Sequence, residues 1–123
     1  MKKLATAFKA LSDETRVRIM ALLFHHGHLC PCEVEQLLGI TQSKASRHLR
    51  YLRNAGLLED RREGLIVNYH LPADPSPDTA ALLGFLQNLL KDRVIVPDSA
   101  PLLVQIRTAR ESGAAASSVG SES

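Results

Sequence analysis

The sequence predicts a mainly α-helical domain with a small β-hairpin, and three observations indicate this fold. Residues 41–58, TQSKASRHLRYLRNAGLL, place Ala45, Leu49 and Leu52 at helical spacing, which makes one apolar stripe. The segment before it, EVEQLLG, reads as a short helix with a glycine stop, so the two segments predict a helix-turn-helix. Alternating apolar and polar residues then predict a hairpin within residues 59–71. Together they predict a winged helix-turn-helix.

The N-terminal part predicts two further helices. Residues 3–11 carry apolar side chains at helical spacing on one face. Ser12 or Asp13 can cap the next helix, which is apolar nearly all round between Ile19 and Phe24 and is therefore expected to be buried. Gly27 is predicted to end it.

The helix after Thr41 and the hairpin have local signals of their own. Thr41 can cap its helix through its hydroxyl, and Gly56 can close the element. Glu63-Gly64 is predicted as the hairpin turn. Arg61 and Arg62 come just before that turn, where basic side chains commonly reach the DNA backbone or minor groove.

The C-terminal part predicts an association surface. A proline-rich break at 72–78 precedes a helix that Asp78 can cap. This helix has more apolar width than one side of a small domain uses, contributed by Leu82, Leu83, Phe85, Leu86, Leu89 and Leu90. Surplus apolar surface on such a helix favours a homodimer interface. Covering of the chain's own core is the alternative.

One more amphipathic helix is predicted at 99–111, and the Ser/Gly/Ala-rich segment 112–123 is predicted to be a disordered tail. Residues 1–111 would then form one DNA-binding and dimerisation domain, consistent with a chain of 123 residues.

The distribution of charge indicates a nucleic-acid partner. The net charge is only +2, but residues 41–62 hold six Lys or Arg and two acidic residues. A local basic patch on a nearly neutral chain suits nucleic acid better than a membrane surface. No apolar run approaches the roughly 18 residues of a membrane span. We therefore expect a cytoplasmic protein.

Both cysteines lie in HHGHLCPCEVE, residues 25–35. Pro31 suits the first position of a helix, which puts Cys30 at the N-cap and Cys32 in the first turn. The positive end of the helix would lower the pKa of both thiols, and soft thiolates bind soft ions. Side chains at these two positions normally point apart, so an ion would have to draw the sulfurs together.

Other interpretations of this segment stay open. The cysteines could be small buried hydrophobic residues or a redox switch. With His25, His26 or His28 they could form a zinc or cadmium site. Catalysis is not expected, because C-x-C lacks the spacing and context of a thiol oxidoreductase. The chain also has no glycine-rich phosphate loop and no serine nucleophile motif.

The sequence resembles the ArsR/SmtB family of bacterial winged-helix metalloregulators. The resemblance is carried by FKALSDETRVRIMALL (8–23), TQSKASRHLRYLRNAGLL (41–58) and DRREGLIVNYHL (60–71). It implies a homodimer that binds double-stranded operator DNA and represses transcription until an inducing ion arrives. It also implies that the first and last long helices pair between subunits.

The family pattern assigns DNA contacts by position. It places Gln42, Ser43, Ser46 and Arg47 at bases or nearby phosphates and Arg61 and Arg62 in the wing. The residues that lie away from the apolar stripe agree with it, namely Ser43, Lys44, Ser46, Arg47 and Arg50.

Arsenic and antimony sensors of this family carry a C-x-C pair at the place of Cys30 and Cys32, often followed by a third cysteine. Here that third position is Glu35. The resemblance therefore implies two-sulfur binding of a trivalent arsenical, with the third position on arsenic filled by a non-thiol ligand or an organic group. The family's zinc-type sensors use histidine on the terminal helix, and TAALLGFLQNLLKDR contains none.

The sequence therefore predicts a metalloid-responsive repressor with no permanent cofactor. It is expected to leave DNA when As(III) or Sb(III) binds Cys30 and Cys32. The As(III) could be arsenite or an organoarsenical such as a methylated one. A zinc-, cadmium- or lead-type sensor and a thiol-redox sensor are the alternatives. A winged helix can also be a protein-interaction module, against which the basic patch argues.

Overall fold

The computed structural model describes residues 1–112, within which the chain forms six helices and three strands. The elements are α1 (Lys2–Ala10), α2 (Glu14–His26), β1 (His28–Leu29), α3 (Pro31–Leu38), α4 (Gln42–Asn54), β2 (Glu59–Glu63), β3 (Ile66–His70), α5 (Pro77–Leu90) and α6 (Ser99–Ser112). The predicted tail, 112–123, lies outside the described residues except for Ser112, which ends α6. The predicted winged helix-turn-helix is confirmed, with α3 and α4 as its two helices.

Side chains at the helix starts explain most of these boundaries. The Asp13 carboxylate accepts a hydrogen bond from the Arg16 N–H at 3.1 Å, and Thr41 Oγ1 accepts one from the Lys44 N–H at 3.2 Å. The predicted cap of α5, Asp78, is wrong, because Ser76 is the N-cap. Pro77 fixes the backbone of the first helical position, so the helix begins one residue before Asp78.

The wing belongs to an antiparallel sheet with the strand order β1-β3-β2. Glu63 pairs with Ile66, so the hairpin loop is Gly64-Leu65 and not the predicted Glu63-Gly64. Gly64 has a φ of 66°, which glycine adopts without strain. The prediction of two strands was also incomplete, because β1 pairs with the other edge of β3.

The core lies between α2, α4 and the sheet, and α6 closes it over α3. The predicted stripe of α4 faces inward, since Ala45, Leu49 and Leu52 are fully buried. Leu57 and Leu58 follow α4 into the same core, so the opposite face of α4 is left outside. On α6, Leu103 and Ile106 are buried.

Helix α5 divides its apolar side chains between the core and the surface. Leu83, Leu86 and Leu90 are buried, whereas Phe85 is 64% exposed and Leu89 is 52% exposed. Phe8 of α1 is 56% exposed as well. The predicted apolar surplus of this helix is therefore present at the surface. None of the helices in residues 1–112 is long and apolar enough to cross a membrane.

Candidate thiol site and nucleic-acid interface

The thiol pair lies where β1 ends and α3 begins. Cys30 is the N-cap of α3 and Pro31 its first residue, as predicted. The Cys30 N–H donates to the Glu33 carboxylate at 3.0 Å, which satisfies one of the free donors at the helix start. Gly39 ends the helix in the left-handed conformation. Capping at both ends thus holds the cysteines in a defined position.

The two sulfurs are already close together. Their Sγ atoms are 3.2 Å apart, both thiols are free, and Cys30 is buried while Cys32 is half-buried. The expectation that these side chains point apart is therefore wrong. The extended backbone of Cys30 at the N-cap turns its side chain over the first turn, where Cys32 lies.

Helix α6 supplies a charged network that surrounds this pair. Arg110 donates to Cys30 Sγ at 3.2 Å, to Cys32 Sγ at 3.3 Å and to the Glu33 carboxylate at 2.9 Å. Arg107 donates to the same carboxylate at 2.9 Å and to the His28 carbonyl at 2.9 Å. The Glu33 side chain is fully buried. Sequence reasoning missed this network.

These contacts give the two thiols different pKa values. The hydrogen bond from the Cys30 thiol lowers the pKa of Cys32 to about 6, helped by Arg110 and opposed by burial. The same hydrogen bond and burial raise the pKa of Cys30. The predicted fall in thiol pKa is thus found for Cys32 and is wrong for Cys30. The reason is that the two sulfurs share one proton, which stays on Cys30. Burial acts to raise the pKa of Glu33, but hydrogen bonds from Arg107 and the Cys30 N–H lower it.

Alkylation by iodoacetamide should report this asymmetry. Because the thiolate is the reactive form, the alkylation rate of Cys32 is expected to rise with pH and reach half its maximum near pH 6. Arg110→Gln removes the guanidinium beside the sulfur and should move that midpoint upward. Arg107→Gln, which contacts no sulfur, is the matched control. A midpoint at the ordinary thiol value of about 8.5 in the parent chain would contradict the assignment.

The histidines near the thiol pair do not complete a metal site. His26 Nε2 lies 3.0 Å from the Ser99 hydroxyl, and His28 pairs across the sheet with His70. Within residues 1–112, no three His, Cys, Asp or Glu side chains are grouped as metal ligands. Among residues 1–112 the thiol pair therefore offers two sulfurs, with no third His, Cys, Asp or Glu grouped beside them as a ligand.

The predicted DNA-contacting residues of α4 share its outer face. A shallow surface hollow is lined by Gln42, Ser43, Ser46, Arg47 and Arg50. Lys44 lies beside it with Arg47, over a second hollow that Arg16, His48 and Tyr51 also line. Arg53 is not part of this face, because it forms an ion pair with Asp60 at 2.7 Å.

Side chains at the start of α2 contact α4 on the side of His48 and Tyr51. The Arg16 guanidinium lies 4.1 Å from the centre of the Tyr51 ring, and its Nε donates to the Ala10 carbonyl at 2.7 Å. His48 lies between Arg16 and Asp13, and burial lowers its pKa. These contacts hold α4 against α2.

Arg61 and Arg62 lie in β2, which is exposed along its whole length. Arg61 approaches Glu63 at 3.8 Å, and Arg62 donates to the Gly64 carbonyl at 3.5 Å. Consecutive residues of a strand point to opposite sides of the sheet. The two arginine side chains therefore leave the wing on opposite sides of the sheet, and their contact with DNA stays a prediction.

Comparison with known proteins gives the family. Residues 13–60, which include both cysteines and α4, match the family described as bacterial regulatory protein, arsR family. The arsenic resistance transcriptional regulator ArsR1 of Pseudomonas putida is 47% identical over 78 residues, covering 63% of this chain and 61% of that protein. The cadmium resistance regulator CadC homolog of Staphylococcus aureus is 46% identical over 67 residues, covering 54% of this chain and 55% of that protein. The chain spans less than two thirds of the length of these two relatives.

Solved structures agree on the fold. HlyU from Vibrio cholerae has a TM-score of 0.61 and 31% identity, covering 74% of this chain and 95% of that one. A homodimeric winged helix-turn-helix DNA-binding domain from Mycobacterium bovis has a TM-score of 0.61 and 28% identity, covering 76% of this chain and 82% of that one. The fold and these similarities define the chain as a winged-helix regulatory protein. The chain belongs to the ArsR family of bacterial regulatory proteins, which confirms the resemblance found in the sequence.

Proposed function

We propose that this chain is a metalloid-responsive transcriptional repressor, whose dimer binds operator DNA and releases it when trivalent arsenic or antimony binds Cys30 and Cys32. The observation that carries the proposal is the pair of free sulfurs 3.2 Å apart at the start of α3. A vicinal pair of thiols is the donor set that a soft trivalent ion prefers. The Pseudomonas putida relative is named for arsenic resistance, which supports the same ion class.

The geometry of the pair favours a pyramidal ion over tetrahedral zinc. With metal–sulfur bonds of about 2.3 Å, two sulfurs this close subtend an angle of about 90° at a shared ion. Zinc in structural sites is tetrahedral and takes four ligands. Trivalent arsenic keeps a lone pair, and its three bonds form a narrow pyramid. Two adjacent sulfurs, with no third ligand grouped beside them in residues 1–112, therefore suit arsenic better.

The lack of a third thiol near Cys30 and Cys32 in the described part of the chain also bears on which arsenical is recognised. Each thiol replaces one hydroxyl group on arsenic, forming an As–S bond and releasing one water. An arsenical with one organic group has two exchangeable hydroxyl groups and is satisfied by Cys30 and Cys32 alone. Arsenite has a third exchangeable hydroxyl group, and Glu35 offers no sulfur to replace it. We therefore expect methylated trivalent arsenicals to be stronger inducers than arsenite.

DNA binding is assigned to α4 and the wing. The second helix of a helix-turn-helix enters the major groove with its N-terminal residues at base edges. Gln42, Ser43, Ser46 and Arg47 occupy those positions on the outer face of α4, with Lys44 and Arg50 beside them. The wing arginines, Arg61 and Arg62, would contact phosphates. The free thiols suit a reducing compartment, so we place this activity in the cytoplasm.

The dimer is assigned to the exposed apolar side chains of α5 and α1. Phe85 and Leu89 lie one turn apart on α5 and are exposed, and Phe8 of α1 is exposed as well. The related Mycobacterium bovis domain is described as homodimeric. A dimer would place two α4 helices in successive major grooves, about 34 Å apart.

Charge on this apolar surface should separate the subunits. Phe85→Glu together with Leu89→Glu is expected to raise the dimer dissociation constant by about a hundredfold, because two side chains that the dimer would bury become charged. Sedimentation velocity would show monomers at a concentration where the parent chain is dimeric. Gln87→Glu, on another side of α5, is the matched control. An unchanged dimer in the double variant would refute this interface.

Fluorescence anisotropy with the duplex upstream of the chain's own gene tests the proposed function. Methylarsenous acid, arsenite, antimonite, cadmium and zinc are added in turn to the preformed complex. Release by the arsenicals or antimonite supports the proposal. Release by cadmium or zinc alone would favour the cadmium-type alternative, for which the Staphylococcus aureus relative is the precedent. Release only by an oxidant would favour a thiol-redox sensor. Weak duplex binding without a steep salt dependence would favour a protein-interaction module.

A further inference from the structure

Arg110 is the one residue of α6, within the part of the chain that the structure describes, that contacts both sulfurs. It reaches Cys30 Sγ at 3.2 Å and Cys32 Sγ at 3.3 Å, and its other terminal nitrogen donates to Glu33 at 2.9 Å. Arg107, one turn earlier, contacts the same carboxylate and no sulfur. The two arginines therefore share an anchor and differ in their relation to the thiols.

We propose that Arg110 is a positioning residue that links occupancy of the thiol pair to the docking of α6 on α3. An ion on the two sulfurs weakens the hold of the guanidinium on them and loosens α6. The identity of the ion rests on the proposed function, whereas the docking role of Arg110 rests on the contacts alone.

The argument begins with competition for the sulfur lone pairs. One terminal nitrogen of Arg110 lies against both sulfurs, on the side that faces α6. A guanidinium has donors only and stays protonated, so it can hold a thiolate but cannot join it as a ligand of the ion. The ion and Arg110 therefore cannot use the same lone pairs.

The change in charge at the sulfurs also weakens their contact with Arg110. A thiolate that forms a bond to arsenic gives up its negative charge to that bond, and a charge-assisted hydrogen bond becomes a weak neutral one. Arg110 keeps its contact with Glu33, and Arg107 keeps both of its own. The expected effect is a weakened attachment of α6 rather than its complete release.

The position of α6 allows this change to be transmitted. Its polar contacts to the rest of the chain include the Glu33 network and the bond between Ser99 and His26 near its start. Leu103 and Ile106 pack between these two ends. Helix α3 also packs against α4. A change in how α6 packs on α3 is therefore transmitted to α4, the helix assigned to DNA binding.

Hydrogen–deuterium exchange of the full chain tests the link, read from peptides that cover residues 103–112. Phenylarsine oxide is the probe, because it carries one organic group and bridges two thiols. We expect α6 amides to exchange about tenfold faster with the probe bound, the factor that corresponds to loss of one charge-assisted hydrogen bond. Cys32→Ala, with no arsenical present, should have a similar effect. Arg110→Gln should exchange fast from the start and gain nothing from the probe, whereas Arg110→Lys should retain part of the response.

Arg107→Gln is the matched control, since it weakens the shared anchor without touching a sulfur. Its basal exchange should rise, and phenylarsine oxide should accelerate it further. Unchanged α6 exchange in a parent chain that carries one arsenical by intact mass would overturn the inference. If no adduct forms, the two-thiol function fails, and Cys32→Ala alone decides the docking role. Circular dichroism confirms that each variant is folded, and the parent chain with and without the probe decides the matter if Arg110→Gln is not.

Discussion

Replacing Cys30 or Cys32 by serine is expected to leave operator binding within about twofold of the parent chain, because the serine hydroxyl can still accept the hydrogen bond from Arg110. Release at the arsenical concentrations that act on the parent chain should be abolished. Serine is a favoured N-cap residue, so Cys30→Ser keeps the start of α3 intact. Both positions lie away from the outer face of α4. The ion, however, loses one of two sulfurs that are held 3.2 Å apart.

The size of this effect follows from chelation. Once the first As–S bond has formed, the second is intramolecular, and linking two binding groups raises affinity by about 10²–10⁴. The arsenical concentration for half-maximal release should therefore rise at least about a hundredfold in either single variant. Anisotropy titration of a preformed complex measures it. Normal release by Cys30→Ser or Cys32→Ser would show that the inducer binds elsewhere.

Glu35→Cys offers the complementary gain of function. Residue 35 follows Cys32 by three positions on α3, so the new thiol lies on the same side of the helix. A third sulfur should lower the arsenite concentration needed for release and leave the response to a methylated arsenical nearly unchanged. An equal gain for both arsenicals would indicate a general electrostatic effect of removing the carboxylate.

Much of the fold could be predicted because its signals are local. The stripe of Ala45, Leu49 and Leu52 and the caps at Asp13 and Thr41 depend on residues within a few positions of one another. The prediction was incomplete at β1, whose two residues are too few for a period-two pattern. The predicted hairpin turn was displaced by one residue, because Gly64 could occupy either position of a two-residue loop.

The thiol site was predictable only in part, for the same physical reason. C-P-C at a helix start is a local signal, and both cysteines lie where it placed them. The Glu33–Arg107–Arg110 network joins residues 74 to 77 positions apart, so no periodicity announces it. One weak signal existed, since Glu33 follows the N-cap by three residues, as in a capping box. That spacing predicts the bond to the Cys30 N–H and not the two arginines.

Glu33→Gln is expected to lower the free energy of unfolding by about 3 kcal/mol, because breaking a buried ion pair leaves its partners uncompensated. The carboxylate is fully buried and accepts hydrogen bonds from Arg107, Arg110 and the Cys30 N–H. Glutamine can still accept from the backbone but carries no charge for two guanidinium groups. Urea unfolding at pH 7 measures the loss, with Glu35→Gln, a half-exposed carboxylate on the same helix, as the control.

The pH dependence separates the charge of Glu33 from its shape. Its pKa is lowered in the folded chain, so the stabilisation is present above the unfolded carboxyl pKa of about 4.3 and is lost as pH falls through the folded value. The difference between the parent chain and Glu33→Gln should therefore shrink at acid pH, while a packing defect would persist. A constant difference from pH 7 to pH 3 would contradict the ion-pair explanation. A smaller urea dependence in the variant would show instead that α6 had already detached, since less surface would remain to be exposed on unfolding.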